Sequence, residues 1–233
     1  ILGVCAKSLG SIKEAEIYEN AKSCLKYGVE AFFTQLSLAY PDIDTNAVSA
    51  MIVKNIDLPT KRSGLNLLNH KNILQIDHIF AGQSGDYLSI VKEAQTANVS
   101  VILFYADILK QKGISSVTIM GLSAEGARKD VRASAAILLA EYLNNMGVAV
   151  FIHDPYFTKE EIAEILPFAI PSEMKNDSEY TESYVVMSQT QAYNYMTQAD
   201  IQKNGLFDAR VIIDGVGVLK HFSFSSKTIY HEV

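Results

Sequence analysis

Four short and almost wholly apolar runs mark the second half of the chain: SVTIMGL (116–122), VAVFIHDP (148–155), YVVMS (184–188) and ARVIIDG (209–215). The segments between them carry apolar residues at helical spacing. A strand with no polar side must be buried on both faces, which happens when helices cover both faces of a parallel sheet. The pattern therefore predicts an α/β fold for residues 113–233, a three-layer doubly wound domain built on a parallel sheet.

The first 112 residues have a different pattern, in which apolar residues recur at helical spacing over long stretches and no strand-like run occurs. Residues 55–84 are rich in Asn, Gly and Ser and are predicted to be an irregular loop. Apolar positions at helical spacing predict three helices, over residues 11–39, 42–53 and 86–112. The chain is therefore expected to consist of an all-helical domain, 1–112, followed by the α/β domain.

The stretch GLSAEGARKDVRAS (121–134) follows the first predicted strand and leads into an apolar helix, predicted over 130–146. In a doubly wound sheet, ligands bind beyond the carboxyl ends of the strands, where helix N-termini favour anions. Cations in this loop suit a phosphate group. The predicted substrate-binding residues are Arg128, Asp130, Arg132 and Ser134. The alternative is that Asp130 caps the helix, Arg132 pairs with a nearby acid, and the loop only connects two elements.

Composition narrows the classes of function. The formal net charge is -6 and no basic stripe is present, so a nucleic-acid partner is not expected. The longest apolar runs are too short to cross a bilayer, so no membrane partner is expected either. The two cysteines, Cys5 and Cys24, have no metal-type spacing, which indicates a reducing compartment and hence the cytoplasm.

Residues 117–157 resemble the start of the C-terminal domain in the UDP-glucose/GDP-mannose dehydrogenase family. In that family a strand ends in Gly-Leu, Asp-x-Arg-x-Ser opens a helix, and the next strand ends in Asp-Pro. Residues 14–36 resemble the central helix of the family, which helps to form the dimer. The resemblance implies a homodimer through the 11–39 helix and a UDP- or GDP-sugar as ligand. The matching positions are Gly121, Leu122, Asp130, Arg132, Ser134, Asp154 and Pro155.

The same resemblance implies an NAD-dependent oxidation of the C6 alcohol of a nucleotide sugar to a uronic acid. Family members use a cysteine to trap the aldehyde and a lysine and an asparagine on the central helix. Here the lysine position is Glu19, the asparagine position is Ser23, and Ser84 stands where the cysteine belongs, with Asp86 nearby. Cys24 is expected to be an inert core residue. No catalytic residue is therefore assigned.

Two further departures concern ligand binding. Glu125 replaces a lysine in the loop and Val216 replaces an arginine after the last predicted strand. No Gly-x-Gly-x-x-Gly motif occurs, so the chain is not expected to hold NAD as the intact family does. The resulting expectation is a sugar-nucleotide binder with little or no dehydrogenase activity. Two alternatives stay open: a non-catalytic dimeric scaffold or regulatory protein, and a different chemistry supported by Ser84 with Asp86.

Overall fold

The fold comes from a computed structural model that describes residues 11–40, 43, 45–56, 89–123, 129–132, 134–174 and 181–232. In chain order the first helices are α1 Ile12–Ala39, α2 Thr45–Ile56 and α3 Ser89–Gln111. The α/β part follows with β1 Ser116–Met120, α4 Ala135–Asn145, β2 Ala149–His153, α5 Lys159–Ile165, β3 Ile170–Pro171, β4 Ser183–Val186, α6 Gln191–Asn194, α7 Gln198–Lys203, β5 Val211–Asp214 and β6 Ile229–Glu232.

The helices of the first half lie close to where the sequence predicts them. Ser11 caps α1, since its side chain accepts a hydrogen bond from the backbone N–H of Glu14 at 3.2 Å. An N-cap of this kind satisfies one of the free N–H groups of the first turn. Residues 57–88, which include most of the predicted loop and the predicted start of the third helix, lie outside the described residues.

Within the described part of the chain, six strands form one parallel sheet in the order β3-β2-β1-β4-β5-β6. The chain moves outward from β1 to β3 and then returns to place β4 on the other side of β1. This return creates a topological switch point between β1 and β4, where the carboxyl ends of the strands open a crevice for ligands. The predicted fold class is confirmed.

Both faces of the sheet are covered, as the apolar runs require. Successive side chains of a strand point to opposite faces, and in β5 the residues Val211 and Ile213 join one buried cluster while Ile212 joins the other. The first cluster also contains residues of α3, α4 and α5, and the second contains Tyr193 of α6 and Ile201 of α7. The sheet is therefore the middle of three layers.

The carboxyl-terminal half of α3 belongs to the core of the sheet domain. Val101, Ile102 and Leu109 are buried in the same cluster as Val117 and Ile119 of β1. Contacts of this kind join the helical part to the α/β part across residue 113. The boundary between residues 112 and 113 remains a prediction based on the change of sequence pattern.

Two features differ from the sequence expectations. The helix predicted to begin at residue 130 begins at Ala135, with Ser134 in the N-cap position, so Asp130 does not cap it. In addition, the sheet has two strands that were not predicted, β3 and β6, one at each edge. Both are short and partly exposed, so neither carries the continuous apolar run that revealed the central strands.

Candidate functional site

The turn after β1 requires glycine. Gly121 has φ of +98°, and a Cβ atom built on it would lie 2.3 Å from Cβ of Ser188. Ser188 follows β4, so this close approach lies directly at the switch point between β1 and β4. The backbone N–H of Gly121 donates to the carbonyl oxygen of His153 at 2.8 Å. The glycine thus brings the ends of three neighbouring strands together.

Asp154, at the end of β2, holds the following turn in place. Its Oδ2 accepts hydrogen bonds from the backbone N–H groups of Leu122 at 2.8 Å and Ser123 at 3.2 Å, while Oδ1 accepts from Tyr156 at 2.9 Å. The residue as a whole is only 4% exposed. In a doubly wound fold the N–H groups after the first strand are the usual phosphate donors, and here an internal carboxylate occupies two of them.

Ser134 anchors the start of α4 to the same turn. Its Oγ donates to the carbonyl oxygen of Leu122 at 2.8 Å, instead of accepting a bond from the first turn of the helix. Ser134 is buried. It therefore helps to hold the predicted ligand loop in position.

Asp130 and Arg132 pair with each other. Nε and Nη2 of Arg132 donate to the two carboxylate oxygens of Asp130 at 2.9 and 2.7 Å, and the backbone N–H of Arg132 also donates to Oδ1. This hydrogen bonding with Asp130 raises the pKa of Arg132. The arginine side chain is 76% exposed, so a ligand from solvent can reach it. Because the Asp130 carboxylate bonds locally, it delays the start of the helix.

Lys129 lies between the loop and α5. Its Nζ donates to both carboxylate oxygens of Glu161 at 2.6 and 2.7 Å and stands 5.8 Å from the centre of the Phe157 ring. The hydrogen bond from Lys129 lowers the pKa of Glu161. Arg128, predicted to bind phosphate, lies outside the described residues. The structure thus brings Lys129, Asp130, Arg132 and Ser134 together at the carboxyl edge of the sheet.

Asp214, the last residue of β5, organises the next loop along this edge. It is fully buried, and its Oδ1 accepts from the N–H groups of Gly217 and Val218 at 2.9 and 3.2 Å. Its Oδ2 accepts from the N–H of Leu219 at 2.6 Å and from the hydroxyl of Tyr230 at 2.8 Å. Burial, together with the negative charge of Asp214, raises the pKa of Tyr230.

His153 is a functional candidate that sequence reasoning did not select. The hydroxyl of Tyr193 lies 2.9 Å from Nδ1 of His153 and 2.7 Å from its carbonyl oxygen. Burial lowers the pKa of His153 despite the nearby Asp154 and raises that of Tyr193. His153 is among the residues that line two clefts, of about 260 and 380 Å³. No local sequence signal joins residues 40 positions apart.

The side chains at the expected catalytic positions are not among those that the structure describes. Ser84 and Asp86 lie outside the described residues, as do the side chains of Glu19 and Ser23 within α1. Cys24 is half-buried on α1 rather than a core residue, and burial raises the pKa of its thiol. Among the described residues, no group of three or more potential ligands could hold a metal ion. In the same part of the chain, no helix has the length and apolar character that a membrane span needs.

Comparison with known proteins gives one family match. Residues 118–221 match the family described as the UDP-glucose/GDP-mannose dehydrogenase family, UDP binding domain. A search of curated proteins finds no match to the chain. The matched segment includes the turn after β1, the Asp130–Arg132 pair, His153 and Asp214.

Solved structures with the same fold include several nucleotide-sugar dehydrogenases. The UDP-glucose dehydrogenase of Pyrobaculum islandicum is 18% identical with a TM-score of 0.70, over 94% of this chain and 50% of that one. The UDP-N-acetyl-mannosamine dehydrogenase of Staphylococcus aureus is 20% identical with a TM-score of 0.69, over 95% and 50%. The NDP-N-acetyl-D-galactosaminuronic acid dehydrogenase of Methanosarcina mazei is 21% identical with a TM-score of 0.68, over 96% and 51%.

At these identities the structural likeness concerns the fold, and the chain spans about half the length of the proteins it resembles. The family match rests on sequence and covers residues 118–221, which is less than half of the 233-residue chain. The predicted resemblance is therefore confirmed: residues 118–221 match the UDP binding domain of the UDP-glucose/GDP-mannose dehydrogenase family.

Proposed function

We propose that this chain binds a UDP- or GDP-sugar at the loop formed by residues 122–132 and has little or no dehydrogenase activity by itself. The observation that carries the proposal is the match of residues 118–221 to a UDP binding domain. The loop follows β1 at the switch point of the sheet, the usual position of a nucleotide in doubly wound folds. NAD, the cofactor of the intact family, has no proposed site in this chain.

The geometry indicates which groups of the loop are available to a phosphate. The N–H groups of Leu122 and Ser123 are already bonded to Asp154, so a phosphate at that point would compete with a buried carboxylate. Arg132 has one guanidinium nitrogen left for a ligand. Nε and Nη2 donate hydrogen bonds to Asp130, whereas Nη1 has no hydrogen-bond partner in the described part of the chain. Nη1 of Arg132, together with the side chains of Arg128 and Lys129, is therefore the proposed phosphate contact.

Replacing Arg132 by alanine is expected to weaken the binding of UDP about ten-fold. A hydrogen bond to a charged group contributes about 1.5–3 kcal/mol, and partial neutralisation of Arg132 by Asp130 places the effect at the lower end of that range. Calorimetric titration of the wild-type and Arg132→Ala chains with UDP measures the change directly.

Two control variants make this test specific. Asp130→Asn removes the competing negative charge and is expected to leave UDP binding as tight as in the wild type, or several-fold tighter. Arg210→Ala removes an arginine that also pairs with a carboxylate, Glu182, but at the amino end of the strands, so UDP affinity should not change. Equal affinity in the wild type and Arg132→Ala would contradict the site assignment.

The departures from the family pattern support the absence of dehydrogenase activity. A serine hydroxyl at position 84 is a much weaker nucleophile than a thiolate when no base activates it. The half-buried Cys24 has a raised pKa, which reduces its thiolate fraction at neutral pH. We infer that any ligand bound at the loop is held without being oxidised by this chain.

A second candidate function, a non-catalytic dimeric scaffold, is favoured by one observation. Tyr18, Leu25 and Phe32 follow one another at intervals of seven residues along α1, and they are 53%, 59% and 55% exposed. Seven-residue spacing places the three side chains on one stripe of the helix. An exposed apolar stripe of this kind suits the same stripe on a second copy of the chain.

We expect sedimentation velocity to report a homodimer formed through the 11–39 helix. Leu25→Glu would place a charge in the middle of the stripe and should shift the chain to a monomer, because an unpaired charge is costly in an apolar interface. Gln111→Glu, at an exposed end of α3, introduces the same charge outside the stripe and should leave the dimer intact. A monomeric wild-type chain at micromolar concentration would rule out this interface.

A further inference from the structure

The imidazole ring of His153 lies on the same side of the sheet as α6 and α7. Successive side chains of a strand point to opposite faces, and Val150 and Ile152 of β2 belong to the buried cluster that includes residues of α3, α4 and α5. The side chain of His153 therefore points to the other face. Its hydrogen bond with Tyr193, which belongs to the second cluster, agrees with this placement.

The hydrogen bonds of Tyr193 leave Nε2 of His153 as an acceptor. A phenol has one proton to donate, and the carbonyl oxygen of His153, 2.7 Å from the hydroxyl, can only accept it. The hydroxyl oxygen must then accept a bond from Nδ1–H of the ring at 2.9 Å, so Nε2 of the neutral ring carries no proton. In the described part of the chain, Nε2 has no hydrogen-bond partner, and it is not one of the buried polar atoms that lack a partner. Nε2 is therefore accessible to solvent.

Of the two clefts that His153 lines, the one of about 260 Å³ lies on this face, between the carboxyl ends of β2 and β3 and helices α6 and α7. Nε2 therefore opens into it. Tyr193 and Tyr195 contribute aromatic rings to its lining, and Tyr195 is 74% exposed. Met174 and Met196 contribute thioether groups. Met174 also has a left-handed backbone, with φ of +62°, and positions of this kind cluster at ligand sites when the residue is not glycine.

The charged groups of this cleft are hydrogen-bond acceptors, because no lysine or arginine is among the described residues that line it. Oδ2 of Asp200 accepts bonds from the N–H and the hydroxyl of Thr197 at 2.8 and 2.7 Å, whereas Oδ1 has no partner in the described part of the chain. The bonds from Thr197 lower the pKa of Asp200, with a smaller contribution from Lys203. Glu173 carries a second carboxylate, which forms an ion pair with Lys159.

We propose that this cleft binds a guanidinium group, which donates one hydrogen bond to Nε2 of His153 and another to the carboxylate of Asp200 and packs on a tyrosine ring. A guanidinium is flat and positively charged, has donors and no acceptor, and stacks on aromatic faces. Each of these properties matches a feature of the lining. The group belongs either to a free small molecule or to an arginine side chain of a polypeptide, since both present the same chemistry.

The proposal does not rest on the binding of UDP. Lys129 of the ligand loop pairs with Glu161 of α5, and α5 packs on the face of the sheet opposite to α6 and α7. The two sites can therefore be tested separately, and a chain that fails to bind UDP can still bind a guanidinium group.

The test is a titration of the full chain, labelled with 15N, in which two-bond proton–nitrogen correlation spectra follow the histidine rings. The His153→Phe variant identifies the His153 signals, and in the free chain Nε2 should show the shift of an unprotonated nitrogen at neutral pH. N-acetyl-arginine amide is the probe. N-acetyl-citrulline amide has the same shape without the charge, and N-acetyl-lysine amide has the same charge without the flat group. We expect the arginine probe to move the Nε2 signal with a dissociation constant of about 1 mM, and the other two to bind at least about ten-fold more weakly.

Methylguanidinium separates the two sources of the group. Binding at least as tight as that of the arginine probe means that a small molecule is sufficient, and tighter binding of the arginine probe means that peptide groups contribute, as in a polypeptide; both outcomes support the proposal. Equal binding of the citrulline or the lysine probe overturns it. So does a protonated Nε2 in the free chain, or an Nε2 signal that stays fixed at ten times the expected dissociation constant of the arginine probe.

Variants distinguish this site from a general attraction of cations to a negatively charged chain. Asp200→Asn keeps the shape but removes the charge, and the affinity for the arginine probe should fall about five-fold. Tyr195→Ala removes an exposed ring without disturbing the core, and the affinity should fall about three-fold. Asp208→Asn removes an exposed aspartate outside the cleft and should leave the affinity unchanged. Equal losses in Asp200→Asn and Asp208→Asn would reject the site.

Discussion

Replacing Gly121 by alanine should lower the free energy of unfolding by about 2–5 kcal/mol. Two costs combine in this value: the left-handed backbone costs a residue with a Cβ about 1–2 kcal/mol, and overpacking costs about 1–3 kcal/mol. The overpacking arises because the new Cβ would lie 2.3 Å from Cβ of Ser188 and 3.0 Å from its backbone nitrogen. Urea unfolding followed by circular dichroism measures the change.

Gly147 provides the matched control. It also has a positive φ, +79°, but no atom lies within 4 Å of the position that a Cβ would take there. Gly147→Ala should therefore lose only the backbone contribution of about 1–2 kcal/mol. The double variant Gly121→Ala with Ser188→Gly should recover part of the loss relative to the two single variants. Equal destabilisation by Gly121→Ala and Gly147→Ala would show that the contact with Ser188 is not close.

Replacing Asp214 by alanine should lower the free energy of unfolding by about 3–5 kcal/mol, since each buried donor left without a partner costs about 1–3 kcal/mol and neighbouring losses are not additive. The carboxylate is fully buried and accepts bonds from Gly217, Val218, Leu219 and the hydroxyl of Tyr230. The loop after β5 should also become more accessible to hydrogen exchange. Thermal unfolding combined with amide exchange measures both effects.

Two variants separate the carboxylate network from general effects of substitution. Tyr230→Phe removes one of the bonds and should cost about 1 kcal/mol. Asp208→Ala replaces an exposed aspartate shortly before β5 and should change stability by less than about 0.5 kcal/mol. If Asp214→Ala unfolded at the same temperature as Asp208→Ala, the buried network would not contribute to stability.

Much of the fold follows from the sequence because it depends on long periodic patterns. The four central strands are continuous apolar runs, which only a sheet covered on both faces can bury. The edge strands β3 and β6 lack such runs, because an edge strand needs to hide less of its surface. Their presence depends on pairing with β2 and β5, which local sequence does not encode.

The start of α4 shows how local chemistry can override a periodic pattern. Helical spacing extends back to residue 130, but the side chain of Asp130 binds the backbone and guanidinium of Arg132. Aspartate competes with helix formation in this way because its short side chain bonds to nearby N–H groups. The pairing of Arg132 with an acid was an alternative available from the sequence, but its bidentate geometry was not.

The residues of the candidate site also differ in whether sequence or tertiary contacts reveal their roles. Arg132 and Ser134 could be selected because their spacing matches a family motif, whereas the role of Ser134 as an anchor of Leu122 depends on tertiary contacts. The pairing of His153 with Tyr193 had no sequence signal, because the two residues meet only after β2 and α6 pack on the same sheet. The ligand loop is therefore a prediction from sequence, whereas the contact between His153 and Tyr193 became visible only in the fold.

The most direct test of the central claim is calorimetric titration of the chain with UDP, UDP-glucose and GDP-mannose, with NAD as a control. Binding of at least one of the first three with a dissociation constant in the micromolar range, and no heat with NAD, is the predicted result. The absence of heat with all three sugar-nucleotide ligands would contradict nucleotide binding and leave the dimeric scaffold as the better account.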